Sequence, residues 1–402
     1  MSVSTPVAPT HLLRLHLHPI NTLAFSPDNE RIYSGDSSGF VVATSSRSLR
    51  AITSWQAHSD GLLGIEEWED QIITHGRDNK LHVWSRIIEL PESARLGDTA
   101  TRLDLPAPRL SYSLDVNALN YCRFSLMRDP VADPEEEKKA LIALPGLIDS
   151  SVVDIWTLPS KNRNHAAIGQ EVQKSIFSTD PKGRNSAGII MSLHLFSSPK
   201  RSGGVHHNEL HLLCAYENGS VTLRKYVSTD QSTSVEGLGW EVLWTIKLHA
   251  ETIMAMRVSR QNDFAISVSA DHLVCRYDLG VAASLPSNAG VAHKTKHPGN
   301  SSIAITDDGR VCAIGGWDGS IRLYSTRTLK PLGTLRYHKS TCQAVEFARS
   351  TDGDQPEVQP QNEDGSDDEM SSEEKTKRSR WLLGGGKDCR VSIWSLIKFS
   401  KS

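Results

Sequence analysis

Histidine and aspartate recur along this chain at a nearly fixed separation. His249 precedes Asp271 by 22 residues, His297 precedes Asp318 by 21, and His58 stands in the same relation to Asp78. A histidine beside a carboxylate is the pair that general acid–base catalysis uses, so each set is first a candidate site of proton transfer. The pairs also keep fixed company. His58, Thr74, Asp78 and Trp84 form one set, and His249, Ser267, Asp271 and Tyr277 another. In both, the aspartate precedes the aromatic by six residues, an interval shared by Asp318 and Tyr324 and by Asp388 and Trp394. A pair repeated in register belongs to a repeat, not to one active site. In that reading a buried His hydrogen-bonds the turn Asp, the Asp accepts from the turn backbone, and the hydroxyl and aromatic extend the network. These are expected to be fold residues.

The elements that must position them follow from the same pattern. A His is followed by an alternating apolar strand, a second strand, a tight Asp-Gly-like turn and a third strand ending in an aromatic. Blade two shows it most fully, with Leu62 to Trp68, Gln71 to Thr74, the turn Asp78-Asn79 and the strand Lys80 to Trp84. Weaker copies are His16 with Ile20 to Phe25 and the turn Ser38-Gly39, Val116 to Phe124 with Ser150 to Trp156, and Ile189 to Phe196 with Asn218-Gly219 to Arg224. That makes seven units. Seven four-stranded blades need roughly 280 to 315 residues, and the chain has 402. The expected fold is all-β, a single seven-bladed WD40 β-propeller over residues 1–402. Its last repeat stops soon after a third strand, Arg390 to Leu396, while Leu12 to Leu17 is a spare strand at the N-terminus. That strand is expected to close blade seven and remove an exposed edge.

Composition excludes several function classes. The 44 Lys and Arg against 47 Asp and Glu leave a formal net charge of -3, no global reason to bind nucleic acid or anionic lipid. Apolar runs such as Ala140 to Leu147 fall short of the roughly 20 residues of a membrane span, and the N-terminus lacks a signal peptide's apolar region. A soluble intracellular protein is expected. Cys122, Cys214, Cys275, Cys312, Cys342 and Cys389 are scattered and never form C-x-x-C, and read as buried thiols. There is no G-x-S-x-G, G-x-x-x-x-G-K-[ST] or H-E-x-x-H. Gly384-Gly385-Gly386-Lys387 precedes a turn and a strand, not the helix a phosphate loop needs. His206-His207 lacks further metal ligands. No catalytic residue, metal or cofactor is implied.

Long inserts fall at Arg128 to Lys139, Pro199 to Asn208 and Ser350 to Arg380, between first and second strands, and at Ile87 to Arg109 and Ser228 to Gly239, between third and fourth. All five would extend one face, leaving the opposite face compact apart from a loop around Thr179 to Ser186. Residues 350–380 are rich in acid and then basic, and are expected to be disordered. Ser366 and Ser371 each precede an acidic residue three positions on, a pattern for acidic-directed phosphorylation, and Lys375 to Arg380 is a candidate nuclear address. On the compact face, the residues immediately before each turn Asp or its substitute are Arg77, Asp149, Glu217, Trp317 and Lys387. These five are the candidate partner-binding residues, expected around the pore mouth, with Trp317 and Arg77 the best hot spots.

Two segments are more specific than the repeats. Ser113-Leu-Asp-Val-Asn-Ala-Leu-Asn-Tyr-Cys-Arg-Phe124 and Ala143-Leu-Pro-Gly-Leu-Ile-Asp-Ser-Ser-Val-Val-Asp-Ile-Trp-Thr-Leu-Pro159, with the insert of blade seven, resemble the fungal ASTRA-associated WD-repeat family. That family is in turn similar to animal G-protein-β-subunit-like propellers. The resemblance covers essentially the whole chain, although Arg224 stands where blade four would carry its Trp. It implies a non-enzymatic scaffold subunit of the ASTRA assembly, linked to chromatin regulation and to maturation of phosphatidylinositol-3-kinase-related kinases. The implied partners are those large kinases, cochaperone subunits and RuvB-like ATPases. The implied location is the nucleus, with the cytoplasm open, and the chain is expected to be monomeric outside the assembly. The competing reading is a histone-peptide or phosphopeptide reader that uses the pore mouth. A reader of basic tails wants an acidic cluster, whereas Arg77 and Lys387 beside Asp149 and Glu217 make a mixed rim. Direct DNA binding is disfavoured because positive charge is not concentrated along one blade face.

Overall fold

The computed structural model describes residues 8–87, 105–117, 119–128, 138–170, 186–202, 205–227, 233–280, 289–350 and 371–397. Its strands form seven four-stranded antiparallel sheets, the blades of a seven-bladed all-β propeller. Contacts cluster the chain into two compact units. One comprises residues 1–76, 82–113 and 304–402, and the other residues 77–81 and 114–303. Among the described residues no helix is long and apolar enough to cross a membrane.

In the first unit, blade one is built from Ile20–Phe25, Arg31–Asp36, Phe40–Ser45 and Ala51–Gln56. Its middle strands are buried throughout apart from Phe40, as expected of strands covered on both faces. Tyr33, Val41, Ala43 and Trp55 pack against Leu62, Ile65 and Ile72 of blade two in one core cluster. The second to fourth strands of blade six, Val311–Gly316, Ser320–Ser325 and Pro331–Arg336, pack on blade seven in the same way, through Val311, Ala313 and Ile321 against Cys342, Val345 and Trp394.

Blade seven consists of Cys342–Phe347, Trp381–Gly386 and Val391–Ser395, and is completed by His11–Leu13 from the N-terminus. The register pairs His11 with Ile393, Leu12 with Ser392 and Leu13 with Val391. The closure by the N-terminal strand is therefore present, but the strand is shorter than the expected Leu12 to Leu17. It ends because His16 turns inward to bond Asp36 of blade one, while Leu17 is exposed.

In the second unit, blade three is Ser125–Arg128, Ala140–Pro145, Val153–Leu158 and Asn162–Ile168. Val116 to Phe124, expected as its first strand, is instead a connection. The asparagine side chains redirect the backbone there: Asn117 Oδ1 accepts from Leu119 N at 2.9 Å, and Asn117 Nδ2 donates to Gly146 O at 2.8 Å. In blade four, Pro199 to Asn208 is no loop insert. Ile190–Ser202 and Val205–Tyr216 form one long hairpin, paired from Leu193 with Cys214 to Ser202 with Val205. Blade five is Ile253–Val258, Phe264–Ser269, Leu273–Asp278 and Gly290–Lys294.

The other inserts occupy the expected connections, but residues 88–104, 129–137, 228–232 and 351–370 lie outside the described residues, as do most of Thr179 to Ser186. The end of the segment expected to be disordered is ordered instead, as the helix Ser372–Arg378. Ser371 caps it, accepting from Glu374 N while Glu374 reaches back to the Ser371 backbone. The last residue of the helix, Arg378, has a buried side chain, with Nε donating to Ser46 O at 3.2 Å and the guanidinium lying over Trp381.

Candidate functional site

The recurrent polar sets lie inside the blades. In blade five, His249 Nδ1 meets Asp271 Oδ2 at 2.9 Å and His249 Nε2 meets Ser267 Oγ at 2.7 Å. Asp271 also accepts from Leu273 N and Ala250 N, and Ser267 Oγ lies 3.2 Å from the Tyr277 hydroxyl. In blade two, Thr74 Oγ1 lies 2.8 Å from His58 Nε2 and accepts from Trp84 Nε1 at 2.9 Å; Asp78 is in the turn that follows Gln71–Gly76.

Blade seven carries a full set that the sequence reading missed. Trp394 Nε1 donates to Ser392 Oγ at 3.0 Å, Ser392 Oγ lies 2.9 Å from His338 Nε2, and His338 Nδ1 lies 2.9 Å from Asp388. Assigning every proton along this chain makes the indole donate to the serine, the serine to Nε2, and Nδ1–H to the carboxylate. Blade one holds His16 between Asp36 and Ser34 at 2.8 Å each.

Blade six departs from the pattern. His297 is exposed, and Asp318 is held by Arg322 and by Ser320 N in its place. Burial opposes the charge on Asp318, but the hydrogen bond and charge of Arg322 and the bonds from Ser320 together outweigh it and hold the carboxyl below its ordinary range. Blade four also uses arginine: Arg224, in the aromatic's position, donates to the Tyr216 hydroxyl at 2.9 Å.

Ser, His and Asp in this order of contacts have the connectivity of a hydrolytic triad. Their chemistry is nevertheless closed. Ser267 and Ser392 are fully buried and their oxygens are engaged by other side chains, so no substrate carbonyl has a path to them. Burial also lowers the pKa of His249 against the pull of Asp271, which favours the neutral imidazole of a structural bond. The same set recurs in blades one, five and seven, as a repeat requires.

The surface candidates are differently placed. Arg77, Asp149, Glu217, Trp317 and Lys387 are all exposed and all lie between second and third strands. In the first unit, Trp317 and Lys387 are joined through Thr341, whose hydroxyl donates to Trp317 O at 3.4 Å and whose carbonyl accepts from Lys387 N at 2.9 Å. In the second unit, the Arg77 guanidinium lies 4.7 Å from the centre of the Tyr121 ring, and Glu217 Oε2 accepts from Ile189 N at 3.3 Å. Asp149 is not the residue before the turn acceptor. It is the acceptor, taking Ser151 N at 2.8 Å and Ser151 Oγ at 2.7 Å as Asn218 takes Ser220, so the preceding position belongs to Ile148. Five cysteines are buried, and burial pushes the Cys275 thiol up to about 12; Cys389 is half-exposed, against the expectation of six buried thiols.

Comparison with known proteins now decides the family. The repeat family described as WD domain, G-beta repeat matches residues 8–42 and 292–325. A protein of Verticillium alfalfae named ASTRA-associated protein 1 is 31% identical over 405 residues, covering 97% of this chain and 93% of its own. The chain belongs to the ASTRA-associated protein 1 family. Proteins of the same name in Aspergillus niger and Schizosaccharomyces japonicus are 28% and 24% identical, covering 97% and 96% of this chain and 97% and 98% of their own. In this member of the family, the two matched repeats include blade one's His16–Asp36 pair and blade six's Asp318–Arg322 pair.

Proposed function

We propose that this chain is a non-catalytic scaffold subunit of an ASTRA assembly, holding other protein subunits through its exposed strand connections. The observation that carries the reading is the full-length likeness to ASTRA-associated protein 1. Two further facts support it. The Ser–His–Asp sets are buried within the blades, and the exposed connections carry Trp317, Arg77 and Ile148, residue types suited to protein contacts.

In this reading the assembly serves chromatin regulation and the maturation of phosphatidylinositol-3-kinase-related kinases, with cochaperone subunits and RuvB-like ATPases as co-members. The chain acts in the nucleus, needs no cofactor and is monomeric when free. The alternative of a histone-peptide or phosphopeptide reader is less well supported, since the five surface candidates mix both signs of charge.

Depletion in its native cell tests the reading. Steady-state levels of the large kinases should fall while their messenger RNAs stay constant, and a fluorescent fusion should concentrate in the nucleus. Unchanged kinase levels would remove the maturation role, and exclusion from the nucleus would remove the chromatin role.

A further inference from the structure

The second unit exposes a group of large apolar side chains at one end of blade three. Ile148 is 99% exposed, Leu119 78%, Tyr121 63% and Leu147 53%. They come from two segments, the connection that leads into Ser125–Arg128 and the turn between Ala140–Pro145 and Val153–Leu158.

The two segments are fastened together beneath the side chains. Asn117 Nδ2 donates to Gly146 O at 2.8 Å and to Ser150 Oγ at 2.9 Å. Asn120 Nδ2 donates to Ser150 O at 2.9 Å and to Ile190 O at 2.6 Å. Both asparagines are buried. They turn inward while Leu119 and Tyr121 face water, so the hydrogen bonds that fix the backbone also fix the apolar display. The turn adds its own bonds, Gly146 N to Val152 O at 2.8 Å and Ser151 N to Asp149 at 2.8 Å.

A frame this well bonded gains nothing for folding from four large apolar groups in water. A cluster of large apolar side chains left in water marks an interaction site.

The edge of the patch specifies the partner's charge. Arg77 is exposed, lies over the Tyr121 ring and makes no ion pair among the described residues. Of the carboxylates near it, Asp115 pairs with Lys80 at 2.5 Å, and Asp149 Oδ1 accepts from Ser151 N and Oγ. A guanidinium held by an aromatic face and lacking a counter-ion is complementary to a carboxylate.

We propose that this patch docks a segment of a partner protein that pairs apolar side chains with an acidic residue, the acid meeting Arg77. The proposal rests on the scaffold reading and names the kind of segment that the scaffold holds here.

The test uses the full chain and short fluorescein-labelled peptides of three compositions, read by anisotropy. One alternates Leu, Ile and Phe with Asp and Glu, the second keeps the apolar residues but carries Lys, and the third keeps the acids with Ser and Gly. The first peptide should bind best. Arg77→Glu and Ile148→Ser should each weaken it by on the order of tenfold. Both positions are exposed, so the melting temperature should not move. Equal binding of the Lys peptide, equal binding of the Ser-Gly peptide, or no binding of the first would overturn the proposal. So would self-association of the wild type that Ile148→Ser abolishes, since the patch would then be covered by a second copy.

Tagged wild type and Arg77→Glu are compared in parallel for recovered subunits. Retention of the assembly with no peptide binding would sink the patch and leave the scaffold reading standing. Loss of the assembly from the wild type itself would sink the scaffold reading.

Discussion

Gly39, in the turn of blade one, lies against the carbonyl oxygen of His58 at the start of blade two, so closely that a Cβ on Gly39 would come within 2.0 Å of it. His58 N and Ala57 N in turn donate to Gly39 O at 3.2 and 3.0 Å. The contact recurs between Gly219 and His249 and between Gly319 and His338. Each of these turns is thereby locked to the histidine segment of the next blade.

Gly39→Ala should destabilise the first unit severely. Its φ of 89° alone costs an L-residue about 1–3 kcal/mol, and the clash with backbone adds to that. Gly280→Ala, with ordinary φ and only the Asp278 carboxylate near at 3.5 Å, is the control and should stay within about 0.5 kcal/mol. Denaturant titration of both variants decides it, and equal midpoints would contradict the locking role.

Glu67 is the hub of a buried ion network between blades one and two. Arg31 Nε donates to it at 3.0 Å, and the Tyr33 hydroxyl donates to the same carboxylate. Removing one partner strands a buried charge, so Glu67→Ala should cost about 3–5 kcal/mol. Arg31→Met combined with Glu67→Leu should recover much of that loss. A thermal melt in which the double variant is the worst of the three would refute the account.

Stability should fall in mild acid. Burial lowers His165 and His194 to about 4 and also depresses His249, whereas an unfolded histidine titrates near 6.5. The unfolded chain therefore takes up more protons between these values, and the stability present above about pH 6.5 is lost as pH falls toward 4. Urea midpoints measured at about pH 7.5 and pH 5 should differ in that direction, and His165→Gln should reduce the difference. A midpoint that rises in acid would contradict the sign.

Deleting the chain through Leu13 should lower the melting temperature, because it removes the pairing with Val391–Ser395 and the buried Leu13 side chain. Leu13→Asp should reproduce most of the effect without shortening the chain. If both variants melt like wild type, the strand is not needed for closure.

Local spacing made much of this fold legible. The sets around His58 and His249 were readable because histidine and aspartate are separated only by two strands and a turn. His338 was not, because the insert in blade seven places Asp388 50 positions after it. His297 was misread for the opposite reason: it has the right spacing, but Arg322 supplies the counter-charge to Asp318. Val116 to Phe124 alternates like a strand, and only the asparagine contacts to Gly146 and Ser150 show why it is not one. The docking surface was the least legible part. Arg77 and Trp317 follow from turn position, but Leu119, Tyr121 and Ile148 become one patch only through tertiary hydrogen bonds that no spacing encodes.

The most direct test of the central claim is affinity purification of the tagged chain from its native cell, with co-purifying proteins identified by mass spectrometry. The scaffold account predicts stoichiometric recovery of cochaperone subunits, RuvB-like ATPases and large kinases, weakened by Trp317→Ala with Arg77→Ala while the melting temperature holds. Recovery of histones or phosphoproteins without those subunits would contradict it.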